Sequence, residues 1–417
     1  MPEINLSLEQ ETAVAMCADL SIRIACVTGQ AGSGKTTILK EAALRVMEEL
    51  FGENFDVAAL KDSQAELVKL VAPTGRAAKR IEEATGIPAM TIHRMMRFSM
   101  PEDDKDFGLP AYTKTNKMPH TVVFVDEASM LTHDIRRQLI DALPSGAVIR
   151  FFGDINQLPP IGSLSPFAED LQKFPSITLT KNFRSEDGII SVADAVIRNR
   201  MPVANSQVVI TRCAVVDTSN TVMQLAKTLD FTATQNQIIC PTKTTTHGCE
   251  RLNTLIQQRF NPEQEKISVY QRDRDGSLIT RSFKRGDKII WDKNDYNMDL
   301  MNGTIGKVQA FDIETGTIVI NCDGRDFTIP SKQETFNPLT GERKSYDPRH
   351  HMLLAYAITT HKSQGSQFDV VCYVVSRSRA ATRQNVYTGI TRAKHKVIII
   401  NAGGALTHAI ANKTALE

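Results

Sequence analysis

The sequence contains no continuous apolar run of about 18 residues and no N-terminal signal pattern. A membrane-spanning helix needs the first feature and an exported protein needs the second. We therefore expect no membrane contact and a cytoplasmic location, in the host cytoplasm if a phage encodes the chain. The seven cysteines are scattered, without a C-x-x-C pair or a Cys/His spacing typical of a metal site. They are expected to be buried free thiols.

An excess of charge of one sign is also lacking, because 49 basic and 47 acidic residues leave a formal net charge of +2. This balance does not exclude a nucleic-acid partner, since a local basic channel can bind an anion within a near-neutral protein. Repeats and low-complexity tracts are missing as well, and the 41% hydrophobic content is ordinary for a soluble globular protein. At 417 residues the chain exceeds one core, so roughly two to four domains are expected.

A phosphate-loop pattern, G-x-x-x-x-G-K-[ST], stands near the N-terminus between a strand-like and a helix-like segment. Backbone amides of such a turn attract phosphate oxygens, the lysine reaches the β- and γ-phosphates, and the next hydroxyl ligates Mg²⁺. A Gly-rich turn without a ligand is the alternative. The flanking segments favour binding and hydrolysis of a nucleoside triphosphate. The nucleotide-binding residues predicted here are Gly29, Ala31, Gly32, Ser33, Gly34, Lys35, Thr36 and Thr37.

Strand-like and helix-like segments alternate through the first half of the chain and again through parts of the second half. This alternation predicts an α/β fold with two parallel-sheet domains. Later strand candidates in the first half are Glu66–Ala72, Thr121–Val125, Ala147–Phe152 and Ile177–Thr180. Those in the second half are Gln237–Cys240, Val370–Val375 and Lys396–Ile400.

Two segments interrupt the alternation. Residues 94–119 are polar and consistent with a hairpin, and residues 265–347 contain short, Gly-punctuated strand signals typical of a small antiparallel barrel. The predicted domains are therefore 1–93 with 120–181, carrying the first insertion, and 182–264 with 348–417, carrying the second.

Three further patterns suit hydrolysis. Asp126 and Glu127 end a buried strand, where an Asp holds Mg²⁺ and an adjacent Glu takes a proton from the attacking water. Gln157 follows another strand in a Gly/Pro-rich turn, a usual place for α/β sites. Arg184 and Arg392 are candidates for neutralising transition-state charge. The bland alternatives are a solvated acidic strand end, a plain β-turn and two surface arginines.

Seven segments of the chain, taken together in their order, resemble motifs I to VI of superfamily 1 DNA helicases. Two of these segments, Ala72–Arg80 and Gly153–Pro160, have the form found in the RecD/Dda subgroup, which moves 5′→3′. The resemblance covers nearly the whole chain, including both insertion points. The segments are Gly29–Thr37, Ala72–Arg80, Val125–Met130, Gly153–Pro160, Asn182–Ser185, Thr359–Asp369 and Val386–Arg392.

The resemblance implies two RecA-like domains, a strand-separating pin at 94–119 and an SH3-like barrel at 265–347. It also implies an enzyme that couples ATP hydrolysis, with Mg²⁺, to DNA unwinding in replication or repair. Gln10 falls on the adenine-reading glutamine of the family, and Arg184 and Arg392 fall on its two γ-phosphate arginines. Phe183 is then a candidate to stack on the base, with a core Phe as the alternative.

Other matched positions imply a single strand held by both domains, with ATP between them and a duplex fork ahead. Small hydroxyls and imidazoles suit phosphate contacts that carry no sequence information. Phe98 is a candidate for base stacking at the fork, and packing within the hairpin is its alternative. Arg76 lies on a helical face that could be merely solvated. The predicted DNA contacts are Pro73, Thr74, Arg76, His93, Phe98, Thr360, His361 and Lys362.

One position departs from the family pattern, because Gln367 stands where relatives commonly carry Glu after Gly365 and Ser366. Gln367 would then hold the nucleotide ribose with an amide, if it holds it at all. We expect a monomer, with single-strand-binding or replication proteins as candidate partners. Two alternatives stay open, a Pif1-like helicase and an ATP-gated DNA clamp without unwinding. A helicase–nuclease fusion is disfavoured, because the sequence shows no metal-ligand carboxylate cluster outside the ATP site.

Overall fold

The computed structural model describes residues 6–52, 55, 57, 66–98, 109–160, 165–183, 188–272, 277–295, 298–336 and 343–412. The chain forms two compact units, residues 1–186 and 187–415. Arg184 and residues 99–108 of the predicted pin lie outside the described residues.

Unit 1 contains one parallel sheet of six strands in the order β3-β2-β4-β5-β1-β6. Its central strands are buried along their length, as expected for a sheet covered on both faces. The strands are β1 Ile24–Gly29, β2 Val68–Ala72, β3 Ala89–Thr91, β4 Val122–Val125, β5 Val148–Gly153 and β6 Ser176–Leu179. The predicted parallel α/β fold is confirmed here, and the predicted strands lie close to these bounds.

Helices cover both faces of the unit 1 sheet. The first three helices pack on one face, where Val14, Ile38 and Ile81 are buried with Val27 of β1. The fifth and sixth pack on the other face, through Leu139 and Phe167. The helices are α1 Leu8–Ala18, α2 Lys35–Phe51, α3 Gly75–Thr85, α4 Ile92–Met95, α5 His133–Ala142 and α6 Phe167–Lys173.

Unit 2 is built on a second parallel sheet, ordered β18-β8-β19-β20-β7. Its strands are β7 Val208–Cys213, β8 Asn236–Cys240, β18 Ala357–Thr359, β19 Phe368–Val375 and β20 Ala393–Ala402. The helices around it are α7 Gly188–Ile197, α8 Thr218–Leu229, α9 Cys249–Phe260, α10 Thr360–Ser363, α11 Arg383–Ile390 and α12 Ala405–Ala411.

Between β8 and β18 the chain forms antiparallel structure with its own core around the buried Trp291. A five-stranded sheet, ordered β14-β13-β12-β11-β17, is accompanied by the hairpins β9–β10 and β15–β16. The strands are β9 Ile267–Arg272, β10 Leu278–Phe283, β11 Lys288–Trp291, β12 Ile305–Phe311, β13 Ile318–Cys322, β14 Arg325–Ile329, β15 Gln333–Phe336, β16 Arg343–Tyr346 and β17 Met352–Leu354. Short antiparallel strands, as the sequence predicted, are present in this insertion.

All seven cysteines are described, and all are free; Cys213 is partly exposed and the other six are buried, as expected. Within the described ranges, no helix is long and apolar enough to cross a bilayer.

Candidate functional site

The phosphate loop joins β1 to α2 with the geometry that its glycines predict. Gly32 and Gly34 both have φ of 85°, in the left-handed region where side chains are strained. Gly34 is the N-cap of α2, and no side chain caps the helix there. The amides of the first turn are therefore available to an anion, which the helix N-terminus favours. A Cβ atom on Gly34 would lie only 2.3 Å from Gln10 Nε2, so a side chain there would displace the Gln10 amide group.

Lys35 lies over this loop. Its Nζ donates to the carbonyl oxygens of Gly29 at 2.6 Å and Gln30 at 3.0 Å. These carbonyls place the ammonium beside the turn whose amides would hold phosphate. This is the geometry required of a lysine that neutralises β- and γ-phosphate charge.

Asp126 and Glu127 follow β4. Burial raises the pKa of Asp126 to about 6, and the negative charge of Glu127 adds to the effect, whereas Lys35 and Arg80 oppose it. The Oδ1 atom of Asp126 accepts a hydrogen bond of 2.8 Å from the Glu127 amide. A carboxyl group with this pKa can exchange a proton for a cation near neutral pH. The solvated acidic strand end considered above does not describe this pair.

Glu127 itself has strained backbone geometry, with φ 51° and ψ 38°. Its Oε2 atom is buried without a hydrogen-bond partner. Left-handed geometry is uncommon for Glu, and such strain clusters at functional sites. A buried acceptor without a donor suits a carboxylate that waits for a water molecule or a substrate proton.

Gln157 lies in the turn after β5, where its backbone N–H donates to the Asp154 carbonyl oxygen at 3.1 Å. The side chain is buried, and its Oε1 atom also has no hydrogen-bond partner. Because β4, β5 and β1 are neighbours in the sheet, Gln157 shares one sheet edge with Asp126 and Lys35. The predicted convergence of three strand ends is thus present in unit 1.

Gln10 and Phe183 border the same loop. Gln10 is buried, and its Nε2 donates to the Ser33 carbonyl at 3.4 Å. Phe183 is anchored by its amide, which donates to the Gly32 carbonyl at 3.1 Å, while its ring is 46% exposed. The alternative of a core Phe is therefore wrong for Phe183. An exposed aromatic face beside the phosphate loop is suited to stacking on a base.

The predicted DNA contacts of unit 1 follow β2 and β3, on the other half of the same sheet edge. Pro73 and Thr74 follow β2, and the Thr74 hydroxyl caps α3 by accepting from the Ala77 amide at 3.2 Å. Arg76 is partly exposed in the first turn of that helix. The order of the strands in the sheet therefore separates the predicted nucleotide-binding residues from the residues predicted to contact single-stranded DNA.

His93 lies in α4, where burial lowers its pKa to about 4. Its ring centroid lies 4.8 Å from that of Phe98. Phe98 packs against the core beside Met95 and also pairs with Pro110 in an isolated antiparallel bridge. The structure thus favours the packing alternative for Phe98. His93 is neutral at physiological pH, so it can offer a hydrogen bond but no charge to a phosphate.

In unit 2 the predicted nucleotide residues lie at the amino edge of the sheet. Gln367 precedes β19, and Arg392 precedes β20, the neighbouring strand. Gly365, two residues before Gln367, has φ of 73° and allows the turn into the strand. The buried Arg392 guanidinium donates from Nε to the Thr388 carbonyl at 3.1 Å and from one terminal nitrogen to Thr391 Oγ1 at 3.4 Å. The surface-arginine alternative is therefore wrong for Arg392.

The residues of unit 2 that are predicted to contact single-stranded DNA lie at the opposite, carboxyl edge of the sheet, after β18. The structure differs from expectation at Thr360, which is fully buried and donates from Oγ1 to Asn385 Oδ1 at 2.5 Å. Its hydroxyl therefore serves the core and is not presented to a phosphate. His361 and Lys362, the next residues of α10, are partly exposed.

The same edge of unit 2 carries a cavity of about 540 Å³. It opens between the ends of β8, β19, β20 and β7. The helices that follow β8 and β19 pack on opposite faces of the sheet. The cavity therefore lies where the connections after two neighbouring strands leave toward opposite faces. Open α/β sheets usually bind ligands at such a place. Polar groups in its wall include Thr245, Thr246, Ser376 and Arg377.

Sequence patterns did not assign Arg80 to the nucleotide site. The charge of Arg80 acts on Asp126, although Arg80 belongs to α3 and Asp126 follows β4. Arg76, Lys79 and Arg80 form a basic helical face in the sequence, and this pattern does not say which of the three side chains turns toward the site.

Comparison with known proteins agrees with this architecture. Residues 10–163 match a family model described as an AAA domain, and residues 354–400 match a UvrD-like helicase C-terminal domain. The chain is 28% identical over 412 residues to the ATP-dependent RecD2 DNA helicase of Deinococcus radiodurans, covering 98% of this chain and 50% of that protein. It is 27% identical over 443 residues to the RecBCD enzyme subunit RecD of Mycolicibacterium smegmatis, covering 96% and 72%.

Solved structures show the same fold. A Bacteroides Pif1 helicase in complex with ADP-AlF3 and ssDNA aligns with a TM-score of 0.60 at 20% identity, covering 99% of this chain and 96% of that one. Pif1 helicase from Candida albicans aligns with a TM-score of 0.59 at 18% identity, covering 99% and 97%.

The two matched models and these relatives confirm the predicted resemblance to superfamily 1 helicases of the RecD/Pif1 type. The chain is similar in sequence to RecD proteins, and its fold is similar to that of Pif1 helicases. The chain spans half the length of the RecD2 relative.

Proposed function

We propose that this chain is an ATP-dependent DNA helicase that moves 5′→3′ along a single strand. The observation that carries the proposal is the convergence of Lys35, the Asp126–Glu127 pair and Gln157 on three adjacent strand ends of unit 1. This set supplies a phosphate cradle, an acid–base pair and a polar amide within one sheet edge. The superfamily 1 helicases that the chain resembles use such a set to drive movement on nucleic acid.

The residues present fit a triphosphate with Mg²⁺. The uncapped α2 N-terminus and the left-handed glycines suit phosphate oxygens, and the raised pKa of Asp126 suits a carboxylate that exchanges its proton for a cation. Thr36 and Asp126 would hold Mg²⁺, which would offset charge on the phosphates. Glu127 would accept the proton of the attacking water, since its Oε2 has no donor of its own. Gln157 would orient the γ-phosphate or that water.

Arg392 is proposed to neutralise transition-state charge at the γ-phosphate, together with Arg184. Support for Arg392 comes from its burial and from the two oxygen acceptors that orient its guanidinium. A surface arginine would have neither. A pre-oriented guanidinium loses little conformational entropy when it meets a phosphate.

Single-stranded DNA is proposed to follow the carboxyl edges of the two sheets. In unit 1 the contacts would come from the segments after β2 and β3, and in unit 2 from His361 and Lys362 after β18. The hydroxyl-lined cavity with Arg377 supports this path, because hydroxyls and guanidinium groups suit a phosphodiester backbone. Contacts of this kind position a strand without reading its sequence.

The two insertions are proposed to handle the duplex. Residues 94–119 would form the pin, and the antiparallel sheet between β8 and β18 would be the SH3-like barrel. Support for the second assignment is the five-stranded sheet around Trp291. Residues 94–119 begin within α4, shortly after β3, on the half of unit 1 proposed to hold the single-stranded DNA.

Strand displacement tests this function directly. Duplexes with either a 5′ or a 3′ single-stranded tail are incubated with the protein, with and without ATP. The proposal predicts ATP-dependent displacement of the 5′-tailed duplex and little displacement of the other. Displacement only from a 3′ tail would contradict the polarity, and ATP hydrolysis without displacement would favour an ATP-gated clamp.

A Pif1-like specialisation is the second candidate, because the fold aligns with Pif1 helicases over nearly the whole chain. A G-quadruplex placed behind the same 5′ tail tests it. Faster unwinding of the quadruplex than of a duplex of matched stability would favour this reading.

A further inference from the structure

Lys362 of α10 faces a carboxylate that belongs to the insertion between β8 and β18. The Lys362 Nζ atom lies 3.7 Å from Asp292 Oδ2, the distance of an ion pair rather than of a short hydrogen bond. Both side chains are partly accessible, with 32% of Lys362 and 29% of Asp292 exposed. A second anion can therefore approach the ammonium while Asp292 is in place.

Asp292 is held rigidly. It follows directly on β11, and its amide donates to the His351 carbonyl at 3.0 Å. Its Oδ1 lies 3.2 Å from His351 Nδ1, and the His351 ring rests against Trp291 with centroids 5.8 Å apart. The carboxylate is thus fixed by its own backbone and by an aromatic core, so its position does not depend on Lys362.

The surroundings of the pair are predominantly cationic. Arg281 acts electrostatically on both Asp292 and Lys362, and Lys243 acts on Lys362. Although burial alone would raise the pKa of Asp292, its bond to His351 and the nearby positive charges hold that pKa below its ordinary value. Asp292 is therefore ionised at neutral pH and faces cations from several elements.

We propose that Asp292 is a positioning residue that competes with nucleic-acid phosphate for the Lys362 ammonium, and that it thereby eases strand release from unit 2. The inference rests on the proposed function, in which Lys362 contacts the strand. A translocating enzyme must loosen its hold on the strand in every step. An internal carboxylate that takes over the ammonium lowers the cost of that loosening, because Lys362 is not left without a counter-charge in a half-buried position.

The test measures binding of a fluorescent oligothymidylate to full-length protein, without nucleotide, over a range of salt concentrations. Asp292→Asn removes the charge and keeps the shape. We expect about two- to fivefold tighter binding, the range of a partly exposed ion pair, and slower dissociation by a similar factor. The slope of log affinity against log salt should become steeper by up to about 0.7, the value for one phosphate contact on single strands.

Asp299→Asn is the matched control. Asp299 belongs to the same insertion and pairs with Arg325 at 2.7 Å on the surface. Its left-handed φ of 57° is one that Asn tolerates well. This variant loses the same charge and should bind like the wild type, as should Asp292→Glu, which retains the competing charge.

A double-variant cycle isolates Lys362. Lys362→Ala alone should weaken binding, and in that background Asp292→Asn should have no effect. The inference is overturned if Asp292→Asn binds no tighter than Asp299→Asn, or if its tighter binding persists without Lys362. It is overturned in the same way if Lys362→Ala binds like the wild type.

Failure of the proposed function gives a different result, because the wild type itself would then not bind the oligonucleotide. Thermal unfolding of each variant checks the fold. If Asp292→Asn does not fold, Asp292→Ser removes the charge with a smaller side chain and carries the same expectations.

Discussion

The amide of Phe368 donates a hydrogen bond of 2.9 Å to the carbonyl oxygen of Arg392. Phe368 opens β19, and Arg392 stands one residue before β20, so this bond ties the two strand starts together. As a result Gln367 and Arg392, which are far apart in sequence, lie at one edge of the unit 2 sheet. This placement supports a shared role at the nucleotide, and it motivates the first of the following predictions.

Replacing Arg392 with Ala should lower the turnover number for DNA-stimulated ATP hydrolysis by about 10³-fold, the range seen for arginine fingers. Nucleotide binding, measured with a fluorescent ATP analogue, should change much less, because the phosphate loop is untouched. Lys394→Ala is the matched control, since Lys394 is exposed and pairs only loosely with Asp369 at 3.3 Å. Equal losses in the two variants would contradict the role of Arg392.

Replacing Lys35 with Ala should reduce ATP hydrolysis by about 10²- to 10³-fold, as expected when one charge-stabilising donor is lost. The fold should survive, because Lys35 bonds only to the carbonyls of its own loop among the contacts described. A colorimetric phosphate assay and circular dichroism measure the two outcomes. Lys173→Ala, on the exposed face of α6, controls for loss of a positive charge in unit 1. Retained DNA-stimulated hydrolysis in Lys35→Ala would rule out this site.

Glu127→Gln should separate binding from hydrolysis. The amide keeps the shape and the left-handed backbone of Glu127 but cannot accept a proton, so hydrolysis should fall by about 10²- to 10⁴-fold, the range for loss of a general base. ATP affinity should stay near that of the wild type or rise. Single-turnover hydrolysis and equilibrium binding provide the two readouts. A variant that hydrolyses ATP normally would assign the base to another residue.

Gln10→Ala should raise KM for ATP and reduce discrimination between ATP and GTP. The Gln10 amide can pair with both a donor and an acceptor on adenine, and it lies against the phosphate loop through its contact with Ser33. A loss of one such paired contact corresponds to about 1–3 kcal/mol of selectivity between bases. The ratio of kcat/KM for the two nucleotides measures it. Because Gln10 also completes the N-terminal cap of α1, urea unfolding must accompany the kinetics.

His93 should make unit 1 less stable in mild acid. Its pKa is about 4 when folded and 6.5 in its ordinary state, so the unfolded chain binds more protons between those values. Stability contributed by the neutral ring is complete above this window and is lost as the pH falls through it. Between about pH 7 and pH 5 the loss should be about 1–2 kcal/mol.

The measurement is urea unfolding of wild type and His93→Gln at both pH values. The wild type should lose more stability on acidification than the variant, which lacks the titrating ring. His133→Gln serves as control because His133 is half exposed. A wild type and a His93→Gln variant with the same pH dependence would show that the ring is not buried neutral in solution.

Much of the fold could be predicted from local pattern. Apolar runs such as Val122–Val125 and Ile398–Ile400 identify strands because central parallel strands are buried on both faces. The glycines of the phosphate loop also identify themselves, since only that residue type permits the observed turn. The sequence left the role of a side chain ambiguous where the surroundings of that side chain depend on elements far away in the chain. Phe183 was ambiguous because its sequence neighbours do not reveal whether another element covers its ring.

The sequence by itself determined the chemistry of this protein: a phosphate loop, a carboxylate pair and an ordered set of motifs on alternating strands and helices. These features depend on residue type and on short spacings between residues, so they can be recognised from the sequence alone. Only the tertiary structure decided that Thr360 is buried under Asn385, that Arg80 acts on Asp126, and that Asp292 meets Lys362. Such contacts arise from strand order and from packing between segments far apart in sequence, and no local pattern encodes them.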